Sequence, residues 1–165
     1  MSCSIFYCIG ALLLLSSFVS GSRLLAGKDE FVVQGRVFCD NCRAGFETAA
    51  TKYLKGANVK VECRERTTAK LTYSAQGVSD ETGTYNIPVS NDHQNDICEA
   101  LIMESPENEC SQVIKGRERA QVVLTHNDGI PSIKRFANNM GFQTYTPMSG
   151  CSQLMKMYQT DEDDF

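Results

Sequence analysis

A pair of cysteines, Cys39 and Cys42, is the first feature of this sequence that could carry chemistry. A C-x-x-C spacing supplies thiolate ligands for zinc or a dithiol for disulfide exchange. Zinc would need a second such pair or two spaced histidines, and redox chemistry would need the strand-then-helix context of thioredoxin-like proteins. The pair instead follows a strand-like segment and precedes a polar stretch with a glycine. We therefore expect no metal site and no cofactor.

The two histidines, His93 and His126, lie in polar segments whose residues are typical of turns. A catalytic histidine needs a nucleophile in front of it and an orienting group behind it, and the sequence has no G-x-S-x-G or H-E-x-x-H motif that would supply this arrangement. Paired carboxylates could hydrolyse glycosides, but neighbouring acids on turns more often serve as solvated groups. The acids considered are Asp80, Glu81, Glu104, Glu107 and Glu109. We expect no catalytic residues and no enzymatic activity.

The first 21 residues contain no Asp, Glu, Lys or Arg and hold an apolar run followed by small residues. This pattern predicts a secretory signal peptide over residues 1–21, cleaved near Gly21 and Ser22. A membrane anchor is the alternative, but a glycine and three serines interrupt the run, and a span needs about 20 apolar residues. We expect a mature protein without a membrane segment, secreted to the extracellular space or the cell wall.

Six cysteines remain after cleavage, and an even number in a small exported domain predicts three disulfides. They are Cys39, Cys42, Cys63, Cys98, Cys110 and Cys151. Six cysteines allow about fifteen pairings, and spacing alone does not choose among them. The net charge of −4, without a dense basic stripe, gives no reason to expect nucleic acid as a partner.

Alternation of apolar and polar residues dominates the rest of the chain and predicts short β-strands. The seven predicted strands cover residues 31–38, 59–64, 69–75, 84–89, 97–103, 120–125 and 142–145. We expect an all-β domain over residues 29–158, a seven-stranded antiparallel sandwich or partly closed barrel. Two minor helical segments are predicted at residues 46–54 and 152–158, and an acidic tail at residues 159–165.

Residues 33–48, which include the C-x-x-C pair, closely resemble the signature of the plant Ole e I-like family, the pollen allergen and extensin-like proteins. The similarity continues in order through nearly the whole mature chain and includes all six cysteines. The resemblance implies a secreted, disulfide-bonded β domain with no established enzymatic activity. It also implies the pairs Cys39–Cys110, Cys42–Cys151 and Cys63–Cys98.

We hypothesise a non-catalytic extracellular protein whose loops bind a receptor-kinase ectodomain or a cell-wall polysaccharide or protein. As in the family that it resembles, this role would belong to pollen, pollen-tube growth or other growing tissue. The candidate binding residues are His93, within the polar loop 92–96, and the basic Lys115, Arg117 and Arg119. A small secreted protease inhibitor is the alternative function, and a small wall hydrolase is a third.

Overall fold

The computed structural model describes residues 30–158, which form two packed β-sheets, a single turn of 3-10 helix and one short α-helix. The strands are β1 (Glu30–Asp40), β2 (Lys52–Tyr53), β3 (Asn58–Glu65), β4 (Leu71–Val78), β5 (Thr84–Ser90), β6 (Asp96–Glu104), β7 (Gln112–Val113), β8 (Arg119–Val122), β9 (Lys134–Phe136) and β10 (Met140–Gln143). The helix α1 spans Cys151–Lys156 and the 3-10 turn Asn108–Cys110. In this part of the chain, no helix is long and apolar enough to cross a bilayer. The predicted signal peptide and acidic tail lie outside the described residues.

The first sheet is built around β1, the longest strand. The first half of β1 pairs antiparallel with β5 and parallel with β9. Its second half pairs antiparallel with β2 and parallel with β10, which in turn pairs with β7. Phe31, Val33 and Val37 point inward from β1 and are fully buried. This central strand therefore supplies much of the core.

The second sheet has the order β4-β3-β6-β8, and every pairing in it is antiparallel. Its central strand β3 alternates as the sequence predicts, because side chains of a strand point to opposite faces in turn. Val59 and Val61 are buried against the first sheet, whereas Lys60 and Glu62 form an ion pair on the outer face, with a shortest N–O distance of 2.5 Å. The hydrophobic core lies between the two sheets.

The all-β fold class and the three disulfides are confirmed, and the described strands form a sandwich rather than a closed barrel. Three details differ from the prediction. Residues 30–158 contain ten strands, because β2, β7 and β9 are two or three residues long and too short to show an alternation. Two of the pairings of β1 are parallel. Residues 46–54 form turns and β2 rather than a helix, whereas the predicted helix at 152–158 is present as α1.

One close approach fixes the packing of β1 on β5. Gly35 lies directly opposite Tyr85, whose ring covers the glycine on the inner face of the sheet. A Cβ atom added at Gly35 would lie 2.4 Å from the Tyr85 hydroxyl oxygen. Burial raises the pKa of Tyr85, since the charged phenolate is poorly solvated in the core. Any side chain at position 35 would therefore displace a core aromatic ring.

Candidate functional site at the loop end of the sandwich

Three disulfides join segments that are far apart in the sequence. Cys39–Cys110 and Cys42–Cys151 join the end of β1 to the 3-10 turn and to α1, whereas Cys63–Cys98 links β3 to β6 across the second sheet. These are the pairs that the resemblance implies. The two cysteines of the C-x-x-C pair are bonded to different partners, so they do not form the dithiol of a redox site.

The end of the sandwich opposite Cys39 and Cys42 is formed by two connections: residues 91–95 between β5 and β6, and residues 123–133 between β8 and β9. We call this end the loop end. Asp92 joins the two connections. Its carboxylate accepts hydrogen bonds from the Thr125 hydroxyl (3.0 Å) and the backbone N–H groups of His126 (2.9 Å) and Gln94 (2.9 Å). Burial acts to raise the pKa of Asp92, but these bonds outweigh it and keep the pKa below its usual value. The ionised form therefore stabilises the loop end.

Arg135, on β9, lies beneath the longer connection and is only 3% exposed. Its Nη2 donates to the carbonyl oxygens of Thr125 (2.9 Å) and Ile130 (3.4 Å), and its Nη1 donates to that of Ser132. The Asp128 carboxylate lies 3.4 Å from Nη2 and balances the charge. Buried carbonyl groups need such partners, and the guanidinium supplies them here. One buried guanidinium therefore fixes the course of the loop.

The outer side of this loop is apolar. Ile130 and Ile133 are 49% and 43% exposed. Next to them, the exposed His126 stacks on the buried Phe31 with 4.5 Å between ring centroids, and Asn127 donates a hydrogen bond to Gln94. The loop end thus combines a fixed backbone with two exposed isoleucines among polar groups.

The prediction that His93 lies on an exposed binding surface is wrong, because its side chain is buried, with the residue 8% exposed. Its Nδ1 lies 2.9 Å from the Asp96 carboxylate and its Nε2 3.0 Å from the Ser90 carbonyl oxygen. The ring also packs against Tyr73, with 5.1 Å between centroids. Both ring nitrogens have partners within the protein, which is why the ring can be buried. The buried His93 therefore stabilises the loop end through these contacts.

His93 also lies beside the Cys63–Cys98 disulfide. One possible ligand atom from each of these three residues lies within 4.8 Å of the other two, a spacing that could hold a metal ion. Metal binding by cysteine requires a free thiolate, and both sulfurs are bonded to each other. In the described structure the cluster is therefore a packed disulfide with a neighbouring imidazole.

Acid should weaken the fold through Asp96. Burial acts to raise its pKa, but hydrogen bonds from His93 and Thr72 outweigh this effect and lower the pKa below the usual value. The folded state therefore binds a proton less readily than the unfolded chain, and the stabilisation is present above about pH 4 and is lost as the pH falls through the lowered pKa. Urea unfolding should show that Asp96→Asn is destabilised relative to wild type at about pH 7.

The difference between Asp96→Asn and wild type should shrink steadily below about pH 4. Glu81→Gln is the matched control, because it removes the same charge from an exposed carboxylate that pairs only with the exposed Lys55. A difference between Asp96→Asn and wild type that stays constant with pH would contradict this role of Asp96.

The basic residues predicted to bind a partner lie at the other end of the sandwich from the loop end. They precede or begin β8. At the start of β8, Arg119 lies opposite Leu101 of β6. At its far end, Val122 lies opposite Cys98 of β6, which is near His93. Lys115 and Arg119 are exposed and Arg117 is half-buried. Arg119 contacts Glu99 at 3.2 Å. The structure therefore does not bring the two predicted regions into one site.

Three of the carboxylates considered for acid–base chemistry, those of Asp80, Glu81 and Glu107, are held by their neighbours. Asp80 accepts hydrogen bonds from the Thr82 hydroxyl (2.7 Å) and from the backbone N–H groups of Thr82 (2.8 Å) and Thr84 (3.1 Å), and the first two of these contacts are the main reason for its lowered pKa. Glu107 pairs with Lys52 at 2.6 Å. Glu81 pairs with Lys55, so these three acids are held by local contacts.

Sequence reasoning missed Arg135, Ile130 and Ile133, because residues 126–141 were assigned to no element. The available signal was the short segment Lys134-Arg135-Phe136, in which one residue must point opposite to its two neighbours. Hydropathy would place the phenylalanine inward. The structure instead buries the arginine and leaves Phe136 73% exposed.

Fold, disulfides and loop end together define a class: small, disulfide-bonded β-sandwich proteins that present fixed loops. The model of the family described as "Pollen protein Ole e 1 like" matches residues 29–159, and the chain belongs to this family. The resemblance found in the sequence is thereby confirmed.

Several of the plant relatives are named for pollen or anther. The chain is 44% identical over 135 residues to the pollen-specific protein C13 of Zea mays, a match that covers 82% of this chain and 79% of that protein. It is 40% identical over 125 residues to the anther-specific protein LAT52 of Solanum lycopersicum, covering 76% and 78%. The crystal structure of the major plantain pollen allergen Pla l 1 is similar, with a TM-score of 0.67, 28% identity and coverage of 74% of this chain and 99% of that one. None of these names states an enzymatic activity.

Proposed function

We propose that this chain is a secreted, non-catalytic plant protein that binds a cell-surface receptor ectodomain or a cell-wall component in pollen, pollen tubes or growing tissue. The observation that carries the proposal is the loop end, where buried Arg135 fixes a connection whose outward isoleucines are exposed. A loop that is already ordered loses little conformational freedom on binding, which favours affinity. Binding residues are also commonly found on loops held by a rigid scaffold.

Secretion is supported by the chemistry of the cysteines. Disulfides form and persist in oxidising compartments and are rare in the cytosol, and all six cysteines of residues 30–158 are paired. The pattern of the first 21 residues is that of a signal peptide. The names of the maize and tomato relatives, pollen-specific and anther-specific, support the tissue.

The experiment is saturation binding of the labelled secreted protein to plasma membranes and to wall fragments isolated from growing pollen tubes. Wild type should bind saturably, and Ile130→Asp with Ile133→Asp should weaken binding at least about ten-fold, because a charge on each exposed isoleucine must be desolvated at the interface. Val78→Asp with Met103→Asp is the matched control, since both residues are exposed and lie at the end of the second sheet opposite the loop end. Equal binding by the two double variants would overturn the loop end as the contact surface.

A second arm tests the basic residues. Replacing Lys115, Arg117 and Arg119 by glutamine should change the salt dependence of binding but leave most of the affinity, because exposed charges act mainly at long range. If this variant loses as much binding as the isoleucine variant, the contact surface extends to the other end of the sandwich. The alternative of a protease inhibitor predicts stoichiometric inhibition of trypsin-like or papain-like proteases by the same preparation. We expect none.

A further inference from the structure

The buried ring of His93 faces a hydrogen-bond acceptor on each side. Its Nδ1 lies 2.9 Å from the Asp96 carboxylate, and its Nε2 lies 3.0 Å from the Ser90 carbonyl oxygen. An ionised carboxylate and a carbonyl group only accept hydrogen bonds, whereas a neutral imidazole carries one N–H and one lone pair. A neutral ring would therefore set a nitrogen lone pair against an oxygen at one of the two positions. The doubly protonated, cationic ring donates at both.

The carboxylate of Asp96 is ionised in this arrangement. Burial acts to raise the pKa of Asp96, but hydrogen bonds from His93 and from the Thr72 hydroxyl, 2.7 Å away, outweigh it and lower the pKa. The proton between the two side chains therefore belongs to the imidazole, and the contact is an ion pair.

The charged groups around the ring support the cationic form. Asp96 contacts the ring directly, and Asp92 is the adjacent residue in the chain. Arg66, from the connection between β3 and β4, lines the same small cavity as His93 and Asp96 and brings one positive charge. Within residues 30–158, no other cation lines this cavity. Two negative charges against one positive charge stabilise a protonated ring.

The remaining neighbours of the ring are uncharged and leave little access to water. The Tyr73 ring of β4 packs on it with 5.1 Å between centroids, and the Cys63–Cys98 disulfide lies beside it. The residue is only 8% exposed. Water is therefore poorly placed to replace a hydrogen bond lost at either ring nitrogen, and an unpaired polar atom in such a setting is unfavourable.

The backbone of His93 connects the two parts of the loop end. Its N–H donates to the Leu124 carbonyl oxygen at 2.8 Å, and its own carbonyl oxygen accepts from the N–H of Asp96 at 2.9 Å. The preceding residue, Asp92, accepts two hydrogen bonds from residues 125 and 126. A displacement of the His93 ring therefore reaches the longer connection, which carries the exposed isoleucines.

We propose that the charge of the His93 ring makes the loop end a pH-sensitive switch, ordered and able to bind its partner in mildly acidic surroundings and loosened as the pH rises. The inference rests on the proposed function, in which the loop end contacts an extracellular partner. Histidine side chains ordinarily change charge between about pH 5 and 8. Loss of either ring proton leaves a lone pair facing the Asp96 carboxylate or the Ser90 carbonyl oxygen, so residues 91–95 lose their hold on Leu124.

The chain has two histidines, so one variant isolates each ring. The first measurement is the ¹⁵N NMR spectrum of the full secreted protein carrying His126→Gln, in which His93 gives the imidazole signals. Both ring nitrogens should be protonated at about pH 5.5, and one should have lost its proton at about pH 8. Over the same range, hydrogen exchange, corrected for its intrinsic dependence on pH, should accelerate in residues 91–95 and 123–128 while β3 stays protected.

The second measurement is saturation binding to pollen-tube membranes at both pH values. Wild type should bind at least about five-fold more tightly at the acidic pH, because a larger fraction of the protein then has an ordered loop end. His93→Gln should bind equally at the two pH values, because an amide carries no titrating proton. His126→Gln is the matched control and should keep the wild-type ratio of the two affinities, since the exposed ring of His126 is outside the His93–Asp96 ion pair.

A His93 ring with a single protonated nitrogen at about pH 5.5, or one that keeps both protons at about pH 8, would overturn the switch. So would the same pH dependence of binding in wild type and His93→Gln. If His93→Gln does not fold, the NMR and exchange measurements on the His126→Gln protein decide the question.

The two measurements also separate this inference from the proposed function. If the ring and the loop end respond to pH as expected but no preparation binds the protein saturably at either pH, the proposed function is wrong. If binding through Ile130 and Ile133 is equally strong at both pH values, only the inference is wrong.

Discussion

Replacing Arg135 by methionine should lower the free energy of unfolding by about 3–5 kcal/mol, the usual cost of removing one partner of a buried ion pair. Methionine keeps much of the apolar stem but leaves the carbonyl groups of Thr125, Ile130 and Ser132 without their donor, and leaves Asp128 without its counter-charge. Each lost partner in a buried setting adds to the cost. Chemical denaturation of wild type and variant measures the difference.

Two controls separate the ion pair from general damage to β9. Lys134→Met changes a neighbouring exposed cation and should alter stability by less than about 0.5 kcal/mol. Adding Asp128→Asn to Arg135→Met should recover part of the loss, because the buried carboxylate no longer needs a counter-charge. Hydrogen exchange should become fast in residues 123–133 while β3 and β6 stay protected. A loss below about 1 kcal/mol for Arg135→Met would contradict the proposal that this side chain organises the loop end.

Replacing Cys42 and Cys151 together by alanine should destabilise the protein by roughly 4 kcal/mol. The bond closes a loop with a sequence separation of 109 residues, and the chain-entropy model relates the stabilisation to the logarithm of that length. Without the bond, α1 is no longer tied covalently to the end of β1. Unfolding in urea under identical conditions measures the loss.

The matched comparison is the double replacement of Cys39 and Cys110, whose separation is 71 residues. Because the dependence on loop length is logarithmic, the two variants should agree within about 1 kcal/mol. A Cys42–Cys151 variant as stable as wild type would show that the unfolded chain is already restricted without this bond, and would remove the entropic explanation.

Much of the fold is predictable wherever a strand is long enough to show its alternation and one face is buried. In β3, the inward Val59 and Val61 and the outward Lys60 and Glu62 lie as the sequence predicts. The short strands β2, β7 and β9 escape such reasoning, because two or three residues carry no period. Their pairing depends on the longer β1, a tertiary effect that local sequence does not encode.

The loop end could not be predicted for a different reason. A buried arginine and a buried histidine contradict the ordinary ranking of residues by burial, and both are tolerated here because the folded backbone brings hydrogen-bond partners to their polar atoms. Arg135 reaches back to Thr125, and His93 contacts Ser90 and Asp96. The spacing of the cysteines likewise left about fifteen pairings open, and the resemblance to the family, rather than physics, selected the one observed.

The central claim, that the loop end contacts an extracellular partner, is tested most directly by site-specific photocrosslinking. A benzoylphenylalanine introduced at position 130 of the secreted protein, illuminated on pollen-tube membranes and walls, should give a discrete adduct that unlabelled wild type competes away. The same group at position 78, at the exposed end of β4 opposite the loop end, should give none. Failure to form an adduct at position 130, or equal adducts at both positions, would contradict the claim.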